Sequence, residues 1–227
     1  MSSERVRNRQ EQRKKKKNPG SGASSPWFWA AIGAIVALFV LVFFLTKGDE
    51  PAGDTGGETA GIQETGPVEV SGDALPAFED PSDDASVGQQ APVLSGETFE
   101  GDPIQIGTPG RPTVVVFLAH WCPHCQVEVP RVKAFIDEGS VPEGIDITSV
   151  ATSTSETQAN YPPSDWLERE GWQPPVMVDE AGGKAADAYG LTGFPYFVFL
   201  NSDGTVNARI SGEVDMETFA GMLAALE

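Results

Sequence analysis

The run Thr113-Val114-Val115-Val116-Phe117-Leu118 leads, through Ala119-His120-Trp121, into Cys122-Pro123-His124-Cys125, and a helical spacing of apolar residues follows to Asp137. No other stretch constrains the chain as much. An apolar run without polar alternation predicts a strand buried on both faces. The chain therefore has to cover that strand from two sides. Both cysteines of the protein lie in the turn that follows it. Val127, Val132, Phe135 and Ile136 give the helical spacing, Pro130 predicts a kink, and Gly139 suits the end.

At the start of a helix the first cysteine of a C-x-x-C takes the N-cap. Pro123 then falls at N1, where its missing N–H costs nothing. Cys125 falls at N3, one turn on, so the two sulfurs come within bonding reach. The free amides and the helix dipole favour a negative sulfur on Cys122, which predicts a depressed pKa and the role of attacking thiolate. Cys125 is then the resolving thiol. His124, between them, is expected to stabilise the Cys122 thiolate further. Stabilising the reduced form makes a pair more oxidising, at about 30 mV per pKa unit for two electrons. Three blander readings compete. A structural disulfide is weak here, because a two-residue loop is a poor entropic staple. Half a metal site lacks partners, since the remaining ligand of that kind is His120. An inert thiol pair does not account for the strand–turn–helix setting. A redox-active Cys122–Cys125 disulfide fits best; no metal and no cofactor are implied.

Charge divides the chain. The first 25 residues carry eight Lys/Arg against two Glu, and the rest seven against thirty-one Asp/Glu, for a net charge of −18. So acidic a body repels phosphate backbones and excludes nucleic acid as its partner. Residues 27–45 are apolar without interruption, about 28 Å of helix, which predicts a single membrane span. Trp27 and Trp29 suit a headgroup level, and Arg13 with Lys14–Lys17 places the N-terminus in the cytoplasm. The expected organisation is a cytoplasmic basic tail (1–26), a transmembrane helix (27–45), an acidic flexible linker (46–86) with room for a short docked element near Leu75–Phe78, and an extracytoplasmic domain (87–227) on the cell membrane. A cleaved signal peptide is the alternative for the apolar run; no clear small-x-small cleavage site follows Leu45.

Within the domain, Ala91–Leu94 and Pro103–Ile106 predict a β-hairpin extension. Ile145–Ala151, Pro175–Asp179, Tyr196–Leu200 and Val206–Ile210 read as further strands. Ser164–Glu170, capped by Ser164, Gly183–Tyr189, stopped by Gly190, and Asp215–Leu226 read as helices. The order predicts an α/β domain: a central mixed sheet with helices on both faces.

The segment Val115 to Cys125 resembles the active-site segment of thioredoxin-fold proteins, and is most similar to the membrane-anchored TlpA/ResA-like branch. Gly88 with Ala91-Pro92, Pro175–Asp179, Tyr189-Gly190, Gly193-Phe194-Pro195 and Asp203-Gly204 continue the resemblance over about residues 87–227. It implies a thioredoxin fold in which Pro195 is a cis-proline facing the cysteines. The backbone of Phe194 is then free to pair with an extended substrate. It implies that Trp121 shields the sulfurs and that Glu128 moves the proton of Cys125. Thioredoxins carry an aspartate six residues before the first cysteine; Val116 stands there, which shifts that burden to Glu128 or water. His120 is expected to be a surface loop residue.

Cys-Pro-His-Cys resembles the DsbA type, which oxidises, whereas TlpA/ResA-like relatives often reduce, as in cytochrome c maturation. The expected function is disulfide exchange with cysteine-containing exported proteins, with an oxidising bias, served by a membrane or extracytoplasmic redox partner. A reductant in cytochrome c maturation and a non-catalytic thioredoxin-fold chaperone are the alternatives. Peroxidase-like use of Cys122 ranks below them.

Overall fold

In the computed structural model, residues 61–227 are described. The basic tail, the apolar run 27–45 and the start of the linker lie outside them. Among the described residues no helix is long and apolar enough to cross a membrane.

The apolar run forms β4 (Thr113–Leu118), the middle strand of a five-stranded sheet. On one side β4 pairs in parallel with β5 (Asp146–Ala151), which pairs in parallel with β6 (Val176–Val178). On the other it pairs antiparallel with β7 (Tyr196–Leu200), which pairs antiparallel with β8 (Val206–Ser211). Side chains of a strand alternate between faces, and β4 feeds two cores in this way. Val114, Val116 and Leu118 pack with Val129 and Val132 of α1 (Pro123–Asp137), Trp166 and Leu167 of α2 (Pro163–Glu170), and Phe219 and Leu223 of α4 (Met216–Ala224). Val115 and Phe117 pack with Leu94, Ile106, Tyr189 and Tyr196, beneath α3 (Lys184–Ala188) and a second sheet. That sheet has the order β1 (Glu69–Ser71), β2 (Val93–Glu97), β3 (Pro103–Ile106), all antiparallel.

The hairpin extension is therefore three strands, and its first lies in the stretch expected to be a flexible linker. Residues 61–86 are laid on the domain. Val68, Leu75 and Phe78 are buried in the core under the second sheet. The backbone N–H groups of Leu75 and Phe78 donate to the carbonyls of Ala188 and Gly190. Gly190 has φ +69°, and a Cβ there would meet the Pro76 carbonyl at 2.2 Å. Both the left-handed backbone and the close approach require glycine. Sparse apolar residues and abundant Asp, Gly and Pro signal a tether, but three well-spaced anchors suffice when backbone bonds fix the chain between them.

One local expectation changes. Ser164 does not cap α2: Pro162 holds the cap position, and Pro163 opens the helix where no N–H is needed. Ser164 instead donates its N–H and hydroxyl to the Glu64 carboxylate, at 3.1 and 2.5 Å. Glu64, a residue of the expected linker, thus supplies the anion at that helix start. Pro130 lies inside α1, which continues through it to Asp137.

Candidate active site

Cys122 has an extended backbone (φ −74°, ψ 120°) and holds the N-cap of α1, with Pro123 at the first helical position. Its carbonyl accepts the first helical bond, from the N–H of Gln126. Both thiols are free and unequally covered: Cys122 is 5 % exposed and Cys125 fully buried. Burial pushes the Cys125 thiol up; the Ala119 backbone offsets this in part, and the neighbouring Cys122 and Glu128 add to it. A thiol that resists ionisation is a poor first attacker. The two thiols are therefore unequal in exposure and in readiness to ionise.

Opposite the cysteines lies the bend before β7. The Phe194–Pro195 peptide bond is cis, and the Cys122 thiol donates to the Phe194 carbonyl at 3.9 Å. The Trp121 ring stands edge-on to that of Phe194, with centroids 5.8 Å apart. The Trp121 indole N–H donates to the Ser153 carbonyl at 2.8 Å. Trp121, Phe194 and Pro195 thus come together around Cys122.

His124 sits beside the cysteines but bonds elsewhere. Its Nδ1 lies 2.7 Å from Oε1 of Glu213, in the turn between β8 and α4. The other carboxylate oxygen of Glu213 accepts from Arg131, also at 2.7 Å. Arg131 in turn lies 3.4 Å from Oε2 of Glu128, whose Oε1 accepts the N–H of Val214 at 3.2 Å. His124, Glu128 and Arg131 are spaced four and three apart on one face of α1, so the turn 213–214 is clasped to that face. Glu128 is fully buried. Burial pushes its carboxyl up, against the opposing bond from Val214 and the charge of Arg131. The hydrogen bond from His124, then Arg131, holds the Glu213 carboxyl below the usual carboxylate range.

Neither Glu213 nor Arg131 was expected at the site; residues 82 or more positions apart carry no local signal of pairing. Replacing Glu213 with Gln is expected to leave Tm unchanged, because exposed ion pairs contribute little, while the His124 ring resonances shift in the NMR spectrum. An unmoved ring would show that Glu213 does not hold it.

His120 departs most from expectation. It is 1 % exposed rather than a surface residue, because the segment 153–162 folds over it. Its Nδ1 faces the Ala159 carbonyl at 2.7 Å and its Nε2 faces the Ser155 N–H at 3.1 Å. Val116, in the thioredoxin aspartate position, is buried among apolar neighbours. Glu128 is the buried carboxyl beside Cys125 that remains.

A mixed sheet whose middle strand ends in a C-x-x-C helix start, opposed by a cis-proline turn, defines a thioredoxin-like α/β fold. A family model described as Redoxin matches residues 71–226, and the chain belongs to that family. Methylamine utilization protein MauD of Methylobacillus flagellatus is 28% identical over 126 residues, covering 54% of this chain and 56% of that protein. Sporulation thiol-disulfide oxidoreductase A of Bacillus subtilis is 26% identical over 125 residues, covering 55% and 74%. The chain spans little more than half the length of MauD. Among solved structures, a DsbF homologue from Corynebacterium diphtheriae superposes with a TM-score of 0.53 at 15% identity, covering 67% of this chain and 99% of that one.

Proposed function

We propose that the chain is a membrane-tethered, extracytoplasmic thiol–disulfide oxidoreductase that exchanges disulfides with cysteine-containing exported proteins. One observation carries the reading: Cys122, at the mouth of α1, is the more accessible thiol of a pair whose second member is sealed in the core. In the reducing direction the Cys122 thiolate attacks a client disulfide. One client sulfur leaves, and a Cys122–client disulfide forms. Cys125 then loses its proton and attacks the Cys122 sulfur. The Cys122–Cys125 disulfide forms, and the client leaves with both sulfurs reduced. Two electrons have passed to the client. The oxidising direction is the reverse sequence.

Glu128 is the proton acceptor for Cys125. A carboxyl with a raised pKa takes a thiol proton more readily than an ordinary one. The Cys-Pro-His-Cys sequence favours an oxidising lean. The apolar run 27–45, with basic residues on its N-terminal side, supports the tether. A separate redox partner, in the membrane or outside it, resets the pair.

The test uses the full chain with two substrates, oxidised insulin and a reduced, unfolded client, and determines the potential of the pair. Acceleration of either reaction over a glutathione control is the expected result. No acceleration of either would leave a binding protein as the better description.

Glu128→Gln is expected to slow resolution of the mixed disulfide about 10²-fold at neutral pH without lowering Tm. The sign follows from the raised carboxyl. A raised acid pKa favours the protonated fold, so its contribution to stability is lost as pH rises through the folded pKa. Gln removes that loss. A slow variant with a markedly lower Tm at pH 8 would make Glu128 structural instead.

A further inference from the structure

His120 is buried, next to Trp121 and two residues from the attacking cysteine, yet the exchange reaction does not use it. Its partners fix its protonation state. A backbone carbonyl can only accept, so Nδ1 carries the proton that bonds Ala159; a backbone N–H can only donate, so Nε2 is bare toward Ser155. The ring is therefore neutral, in one tautomer, and it closes a bridge across the segment 153–162. The main chain of His120 adds two more ties: its carbonyl accepts from Asn160 at 3.2 Å and from Gln126 of α1 at 3.3 Å.

The segment so held is strained. Ser153 and Asn160 have φ of +53° and +60°, in the left-handed region that non-glycine residues enter at a cost. It is also the support of the client side of the site. The Ser153 carbonyl holds the Trp121 indole, the Trp121 ring meets Phe194, and the Tyr161 ring, 39% exposed, stands edge-on to His120 at 6.0 Å.

We propose that His120 is a positioning residue, a neutral latch that holds the segment 153–162 against Trp121 and so fixes that indole beside Cys122, and that protonation of the ring releases it. An imidazolium has two N–H donors and no acceptor. Its Nε2–H would confront the Ser155 N–H, leaving two buried donors without partners. Among the described residues the hydrogen-bond partners of the ring are main-chain groups, not charged side chains. The segment itself contributes Glu156 and Tyr161, and the N-terminal stretch contributes Glu64 beside Tyr161. From α2, Arg169 donates to the side chain of Asn160 at 3.0 Å. The side of α1 that meets His120 presents the neutral Gln126, and Cys122 and His124 follow on the chain. The latch stands on this geometry; its effect on clients rests on the proposed exchange reaction.

The experiment follows amide hydrogen exchange of the peptide covering 153–162 in the full chain between pH 8 and 5, the range in which histidine changes charge, expressed as protection factors. Protection in the native chain is expected to fall, by up to about tenfold per pH unit, the limit for uptake of one proton. The protein has two histidines, so two variants assign the effect. His120→Gln keeps one donor and one acceptor but cannot titrate, and its protection is expected to stay flat. His124→Gln is expected to keep the native fall. A flat native profile, an equal fall in His120→Gln, or loss of the fall in His124→Gln would each overturn the latch. His120→Gln that is unprotected at every pH leaves the native and His124→Gln profiles to decide in the same way.

A second arm compares an unfolded disulfide-bearing client with oxidised glutathione. On acidification the native KM for the client is expected to rise while that of His120→Gln does not, with the small disulfide affected equally in both. If protection behaves as expected and neither substrate reacts, the exchange reading fails and the latch stands. If both react and the client KM is pH-independent, the latch does not set the Trp121 side of the site and that part of the proposal is overturned.

Discussion

Cys125→Ala, mixed with a disulfide-bearing client, is expected to accumulate a one-to-one covalent adduct through Cys122, whereas Cys122→Ser is expected to form none and to lose exchange by on the order of 10³-fold or more. The difference follows from where the two sulfurs sit. Cys122 takes the N-cap with its carbonyl already in the helix, so its side chain lies at the open end of α1, against the Phe194 carbonyl. Cys125 is a turn deeper, fully buried, and its thiol is pushed up by desolvation. A client sulfur can reach the first and not the second. Without Cys125 the adduct has no nearby thiol to resolve it and persists until reductant is added. Non-reducing electrophoresis and intact mass measure the adduct; alkylation of the native chain by iodoacetamide, expected at Cys122 and not at Cys125, measures the asymmetry independently. An adduct through Cys125 in the Cys122→Ser variant, or none through Cys122, would reverse the assignment.

The centre of this arrangement was legible in the sequence because it is local. A buried strand, a tight turn and a helix start follow one another between Thr113 and Asp137, and each is specified by its own residues: the apolar run, then Pro123 at N1, then the helical spacing. The strand order was legible to the extent that apolar runs alternate with helical patterns. What escaped is what distant segments contribute. Glu213 lies 89 positions from His124, and an acidic residue in a turn has no mark that it will meet a ring on α1. His120 was assigned to the surface because histidine at the end of a strand is most often solvated. Its burial comes from a segment 35 to 40 residues later that folds back over it. Residues 61–86 were assigned to the tether because their composition is that of a tether. Their order comes from three apolar anchors, from Glu64 at the start of α2, and from one ion pair that composition cannot reveal.

That ion pair accounts for the second expected result. Arg209→Ala lowers stability by about 3–5 kcal/mol, the usual cost of leaving one member of a buried pair alone, a fall in Tm on the order of 10 °C for a domain of this size. Arg209 is on β8 and 2 % exposed. Its Nε and Nη2 meet the two carboxylate oxygens of Asp84 at 2.8 and 2.5 Å. Its Nη1 donates to the carbonyls of Pro76 and Tyr189, and the guanidinium lies 5.3 Å from the Phe78 ring centre. One side chain thus ties the stretch 76–84 to the central sheet. Burial alone would raise the Asp84 carboxyl, but the bonds from Arg209 and Ser86 hold it below the ordinary value. In the native chain the pair therefore contributes fully above the ordinary carboxylate pKa, and the contribution is lost as pH falls through the depressed one. In Arg209→Ala the same carboxyl is buried without its cation, so the proton is favoured and stability falls as pH rises. The gap in Tm between the two proteins is expected to be wider at pH 7 than at pH 4. Cleavage after Glu79 by a glutamate-specific protease should also quicken in the variant, as the stretch comes away. Replacing both partners with apolar residues, Arg209→Met with Asp84→Leu, is expected to restore part of the loss, since no charge is then left buried although the Pro76 and Tyr189 carbonyls lose their donor. Equal Tm values for native and Arg209→Ala proteins at pH 7 would show that residues 61–86 are held by their apolar anchors alone.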